Sequence, residues 1–189
     1  METERLIIRA FEPADLPVIH RILDLAFGDG TRAADADALR ERESWLRWSI
    51  LSQEWLPKLH QPPYGDLAIV LKSTGAVIGA AGLVPLLGPF EQIPELQLSG
   101  PGGGHNIPEV GLYWVIEPAH QGARYASEAA ARLIEKAFKD LRLRRILATT
   151  EYDNAASQGV MRTLGMRITR NPLPEPAWLQ VVGTLENPD

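Results

Sequence analysis

Glu109-Val110-Gly111-Leu112-Tyr113-Trp114-Val115-Ile116, then Glu117-Pro118-Ala119-His120-Gln121-Gly122-Ala123-Arg124, then Tyr125-Ala126-Ser127-Glu128-Ala129-Ala130, form the most informative part of this chain. The first eight include aromatic and branched residues that predict a strand over 109–116, and Glu117-Pro118 ends it. Beyond the loop, Ala126, Ala129, Ala130, Leu133, Ile134, Ala137, Phe138 and Leu141 fall at the i, i+3, i+4, i+7 spacing of an amphipathic helix. A turn that feeds a helix N-terminus presents unpaired backbone N–H groups at the positive end of the helix dipole, which is a site for phosphate. The loop has a single glycine, Gly122, so it meets neither the P-loop nor the dinucleotide glycine pattern.

Upstream, Arg5-Leu6-Ile7-Ile8-Arg9-Ala10 predicts a strand, and Glu12-Pro13-Ala14-Asp15 a turn into a helix carrying Leu16, Ile19, Ile22, Leu23, Ala26 and Phe27. Gly28-Asp29-Gly30 stops that helix. A second helix is expected over about 35–55, with Leu39, Leu46 and Ile50 inside. It carries Trp45, Trp48 and Trp55, which suit core or dimer surface better than the wall of an acceptor pocket. Segments 66–71 and 77–84 read as a hairpin around Lys72-Ser73-Thr74-Gly75-Ala76.

Segment 85–108, rich in proline and containing Gly102-Gly103-Gly104, is too long for an ordinary connection and is expected to be lid-like. A strand over 145–151, a short helix capped at Asp153-Asn154 with Ala156, Val160 and Leu164 inward, and closing strands over 166–168 and 179–185 complete the chain. The whole is expected to be one domain, 1–189, with a short tail at 186–189.

Composition narrows the function classes. At 189 residues with a net charge of −5, the chain is large enough for a full core and lacks the dense basic footprint of a sequence-independent nucleic-acid binder. It has no cysteine, so disulfides, thiolate metal sites and a thiol nucleophile are excluded. His20, His60, His105 and His120 show no ligand spacing, so no metal is expected. Met1-Glu2-Thr3-Glu4-Arg5 is too charged for a signal peptide, and the uncharged stretch 73–90 is broken by glycine and proline. A cytoplasmic location without membrane contact is the expectation.

Four stretches, in this order, resemble the GNAT superfamily of acyl-CoA-dependent N-acyltransferases, and most closely its ribosomal-protein N-acetyltransferase (RimL/RimJ-like) branch. They are Thr3-Glu4-Arg5-Leu6-Ile7-Ile8-Arg9, Glu109 to Val115, the Gln/Arg-x-x-Gly-x-Gly/Ala signature at Gln121 to Ala126, and Asn154-Ala155-Ala156-Ser157 through Leu164-Gly165-Met166. The resemblance implies a single mostly antiparallel sheet flanked by helices, a mixed α/β fold with a splayed parallel strand pair at the acyl-CoA site. It implies acetyl-CoA as co-substrate and an amine acceptor, either a protein N-terminus or a small molecule.

It also implies roles. The backbone of Trp114, Val115 and Ile116 would pair with the pantetheine arm, and the amides of Gln121, Gly122, Ala123, Arg124, Tyr125 and Ala126, with Ser127 nearby, would hold the pyrophosphate. A strand amide near Val115 would face the thioester oxygen. An acceptor amine must lose a proton, since an α-amine has a pKa near about 8 and a lysine near about 10.4, and Glu109 is the candidate base. Many relatives protonate the leaving thiolate from a tyrosine whose place is taken here by Met161. Ser157 would supply the hydrogen bond instead, with Asn154 on the pantetheine amide and Tyr113 and Tyr152 as fallback donors.

The fourth loop position, usually glycine, is Arg124. An arginine there either costs on the order of 1 kcal/mol of left-handed backbone and crowds the ligand, or adds a charge-assisted phosphate contact. The sequence leaves both open. Two further readings stand beside the transferase: a non-catalytic acyl-CoA sensor of the same fold, and an enzyme of another pyrophosphate ligand. Edge strands and the tryptophan helix suit a homodimer.

Overall fold

The computed structural model describes residues 1–28, 30–32, 35–62, 64–97 and 105–188. Its regular elements are β1 (Leu6–Arg9), α1 (Leu16–Phe27), α2 (Ala36–Lys58), β2 (Gly65–Leu71), β3 (Val77–Gly88), β4 (Ile107–Ile116), α3 (Tyr125–Glu135), β5 (Arg145–Thr150), α4 (Ala155–Thr163), β6 (Arg167–Arg170) and β7 (Val181–Glu186). The strands make one seven-stranded sheet in the order β1-β2-β3-β4-β5-β7-β6. Antiparallel ladders join β1 to β2, β2 to β3, β5 to β7 and β6 to β7. β4 and β5 run parallel, in register at Gly111 opposite Leu147. This is the mostly antiparallel, mixed α/β sheet with one parallel pair that the resemblance implies.

The chain gathers into two compact units, Met1–Leu83 with Tyr113–Leu133, and Val84–Leu112 with Ile134–Asp189. In the first, Ile19, Ile22 and Leu23 of α1 and Leu46 of α2 pack on Ala68, Val70, Ala80 and Val115 of the strands. Asp35 starts α2 by accepting hydrogen bonds from the amides of Asp37 and Ala38, satisfying donors the helix leaves open. Two expectations are corrected here. Phe27, placed on the inner row of α1, is 70% exposed and stacks on Tyr113 instead. Leu39 is exposed, and the buried positions of α2 are Ala38, Leu46, Ser49 and Ser52.

The second unit has its own core of Phe90, Ile93, Leu96, Leu147, Leu179 and Val182. The expected lid over 85–108 is therefore corrected over its first half. β3 continues to Gly88, and the single-turn 3-10 helices Phe90–Gln92 and Pro94–Leu96 follow. Phe90 and Leu96 from these two turns, and Ile93 from the extended residue that joins them, are all buried in this core. Gly102-Gly103-Gly104 lies outside the described residues. The long helix is also shorter than its periodicity suggests: α3 ends at Glu135 and continues as one π-helical turn, Lys136–Asp140, closed by the Leu141 amide donating to the Lys136 carbonyl at 3.1 Å.

Candidate active site

In the first unit, β4, the loop and α3 form a continuous strand, turn and helix. Gly79 on β3 has no room for a Cβ, which would run into the Val115 carbonyl, so the strands approach closely there. Backbone groups of successive strand residues alternate sides. The Val115 carbonyl and the Glu117 amide, which donates to Ile78 at 2.8 Å, thus face β3, and the backbone groups of Trp114 and Ile116 point the other way. Val115 and Ile116 are buried and Trp114 is half-buried.

A 3-10 turn, Pro118–His120, opens the loop. The Gln121 side chain then donates to the Ile116 carbonyl at 2.9 Å, bracing the turn against the strand it left. Glu117 accepts from Arg21, and its other oxygen lies 3.1 Å from His120 Nδ1. Gly122 and Arg124 have φ of +77° and +66°, so two left-handed residues fold the chain back towards the helix. A Cβ on Gly122 would meet nothing within 4 Å, which leaves that face of the loop open. The α3 ladder starts with the Glu128 amide donating to the Arg124 carbonyl at 3.0 Å, so the amides of Tyr125, Ala126 and Ser127 precede its first rung.

The N-terminal segment holds this turn in place. Arg5 Nη2 donates to the Ala123 carbonyl at 3.0 Å, its Nε donates to Glu128 at 2.7 Å, and its guanidinium lies 4.5 Å from the centre of the Tyr125 ring. Glu128 also accepts from the Thr3 hydroxyl and the Arg5 amide. Burial pushes the Glu128 carboxyl up, but these donors outweigh it and hold the carboxyl below its ordinary value. The sequence predicts the strand that begins in this segment but gives no sign that Thr3 and Arg5 brace the loop.

The second unit contains the other predicted residues. Glu109 and Arg145 form a bidentate ion pair, both oxygens of the carboxylate accepting from the guanidinium, with the two side chains 8% and 19% exposed. A base role for Glu109 requires that pair to open. In the sequence Arg145 is only the first residue of the strand predicted over 145–151. Asn154 caps α4, its Oδ1 accepting from the Ser157 amide at 3.0 Å, so these two are together in one helix turn. Met161 is fully buried, with Sδ 3.0 Å from where a Cβ on Gly183 would stand. The Tyr152 hydroxyl donates to the Asn171 carbonyl at 2.5 Å.

One group of residues escaped the sequence analysis. In the first unit, Asp66 on β2, Arg42 on α2 and Tyr113 on β4 influence one another electrostatically. Burial pushes Asp66 up to about 6 despite the opposing Arg42 charge, pushes the Tyr113 phenol well above its ordinary range, and pushes Arg42 down. The signal was present in parity: Asp66 lies two and four residues before Ala68 and Val70, on the same inward face of a strand.

Residues 5–167 match the family model described as an acetyltransferase (GNAT) domain. A 64-residue stretch is 44% identical to the uncharacterized N-acetyltransferase YnaD of Bacillus subtilis (strain 168), covering 34% of this chain and 36% of that relative. Among solved structures, an acetyltransferase from Agrobacterium tumefaciens str. C58 superposes with a TM-score of 0.67 at 23% identity over 98% of this chain and 93% of that one. RimL, a ribosomal L7/L12 alpha-N-protein acetyltransferase solved in complex with coenzyme A, does so with a TM-score of 0.62 at 13% identity over 96% and 93%.

Proposed function

From the premise that the chain belongs to the GNAT acetyltransferase family, we propose that it is an N-acyltransferase moving an acetyl or other short acyl group from acyl-CoA to a primary amine. The observation that carries this reading is the turn before α3, where Gly122 and Arg124 adopt left-handed backbone and the helix amides precede the first rung of the ladder. Such a turn suits a pyrophosphate better than a side chain does, because backbone N–H groups supply fixed donors and the helix dipole adds its field. Gln121, Gly122, Ala123, Arg124, Tyr125, Ala126 and Ser127 hold the pyrophosphate. Trp114 and Ile116, whose backbone groups turn away from β3, bind the pantetheine arm, whereas the Val115 backbone between them, expected to share that pairing, faces β3, and Asn154 and Ser157 serve the pantetheine amide and the thiolate. Acetyl-CoA supplies an activated thioester when bound.

The acceptor nitrogen must reach the acyl carbon as a neutral amine, and Glu109 is retained as a base that acts once Arg145 releases it. Acceptors are a protein N-terminus or a small amine, as the RimL/RimJ-like resemblance suggests, and the chain works in the cytoplasm, as a homodimer. The buried Met161, in the place of the tyrosine of many relatives, favours a second reading, an acyl-CoA sensor without turnover. Calorimetric titration with acetyl-CoA followed by an amine panel tests both. Saturable micromolar binding with acetylation supports the transferase, binding without turnover supports the sensor, and absence of binding overturns both.

A further inference from the structure

On α2, Arg42, Leu46, Ser49 and Gln53 follow one another at four, three and four residues, the spacing of a single helix stripe. Leu46 and Ser49 are 3% and 1% exposed, so the stripe faces inward. Three of its four residues are polar, and Arg42 Nε, Ser49 Oγ and Gln53 Nε2 are buried with no hydrogen-bond partner among the described residues. Asp66, on the core-facing side at the start of β2, likewise has Oδ1 buried without a partner. Gln53 Nε2 reaches that strand end, lying 3.1 Å from where a Cβ on Gly65 would stand. Each such atom forgoes a hydrogen bond it makes with water in the unfolded chain, and native folds leave few of them.

We propose that this line of polar groups between α2 and the start of β2 is the acceptor-binding site of the transferase: Asp66 takes the ammonium of the acceptor, and Arg42 and Gln53 take an oxygen carried a few bonds away. The inference rests on the transferase reading and adds to it the residues that select the acceptor. The charged and titratable groups coupled to Asp66 are Arg42 of α2 and Tyr113 of β4, while Tyr113, Arg32 and Asp24 act on Arg42 as well. With its carboxyl raised to about 6, Asp66 is ionised at neutral pH and pairs with an ammonium, and it loses that capacity as the pH falls through that value. Arg42 sets the specificity. A guanidinium within electrostatic reach of the carboxylate repels the second cation of a polyamine and welcomes a carbonyl or hydroxyl oxygen. The favoured acceptors are thus singly charged amines that carry such an oxygen.

The test uses the full chain with acetyl-CoA and three probes: L-alaninamide, n-propylamine and spermidine. Acetylation rates are measured alongside ligand-observed NMR of alaninamide binding, with calorimetric acetyl-CoA affinity as the control for folding and for the CoA site. The wild type is expected to prefer alaninamide by kcat/KM. Asp66→Asn, which keeps shape and loses charge, is expected to raise the alaninamide KM about tenfold or more, the scale of a lost hydrogen bond to a charged group, with acetyl-CoA affinity unchanged. Arg42→Gln is expected to remove the preference over n-propylamine and improve spermidine use. In the wild type, the alaninamide KM rises as pH falls below about 6 while acetyl-CoA affinity holds. Unchanged alaninamide binding in Asp66→Asn overturns the proposed site alone, whereas no acetylation of any probe by a wild type that binds acetyl-CoA favours the sensor and overturns the transferase reading together with this site. Failure of the wild type to bind acetyl-CoA overturns the transferase reading and this site with it.

Discussion

Arg124 is the residue at which sequence and structure ask the same question and the backbone answers part of it. Its φ of +66° shows that the position does require left-handed backbone, the conformation that glycine adopts freely and that costs other residues roughly 1–2 kcal/mol. Arg124→Gly is therefore expected to stabilise the fold by about 1 kcal/mol, read as a higher urea midpoint, whereas Arg124→Ala keeps the strain and loses only the charge. If the guanidinium contacts phosphate, both variants weaken acetyl-CoA by calorimetry. If it crowds the ligand, both tighten it. Other residues were less legible, because their state depends on distant partners. Glu109 reads in sequence as a lone carboxylate after a proline, and the ion pair that occupies it comes from Arg145, 36 positions along the chain. Asp66 reads as the first residue of a hairpin strand, and it is burial in the folded chain that gives it an unusual carboxyl.

At the scale of elements, α4 is where this chain departs most from its resemblance. Met161 is fully buried on the face that packs on β7, with Sδ and Cγ 3.0 and 3.1 Å from where a Cβ on Gly183 would stand. A flexible thioether fills that narrow space, and a phenol ring does not. Met161→Tyr, which restores the residue of many relatives, is expected to overpack α4 against β7 and cost about 1–3 kcal/mol, seen as a fall of several degrees in thermal midpoint. It brings no gain in acetylation rate, because the side chain at this position points into the core. A rise in turnover with unchanged stability contradicts that geometry. Strongly periodic elements were legible in sequence, among them α1, α3 and the β2–β3 hairpin. The 3-10 turns of 90–96 were not, since prolines and glycines around them signal a loop while Phe90, Ile93 and Leu96 supply half of a core. The end of α3 was also hidden, because the π-helical turn keeps apolar residues at near-helical spacing.

For the whole molecule, the sheet class was what the family resemblance implied, but the division into two compact units was not legible. It depends on which residues of β3, β4 and α3 pack with which core, and that is a tertiary outcome. It has a consequence for global stability, because the buried carboxylate belongs to the first unit. Burial raises Asp66 from 3.8 to about 6, so the folded chain binds this proton more tightly than the unfolded chain does. The stabilisation associated with that proton is fully present below pH 3.8 and is lost as pH rises through about 6. At pH 8 the wild type thus carries an ionised, buried and incompletely partnered carboxylate, at a cost on the order of 3 kcal/mol. Asp66→Asn is expected to raise the urea midpoint at pH 8 and leave it nearly unchanged near pH 3.5. Tryptophan fluorescence follows this well, since Trp45, Trp48, Trp55 and Trp114 lie in the first unit and Trp178 in the second. A variant that is more stable yet poorer at binding the acceptor shows that the chain keeps a destabilising charge for function. An equal midpoint at pH 8 means instead that Asp66 is well solvated in the folded chain, and its burial no longer explains its properties.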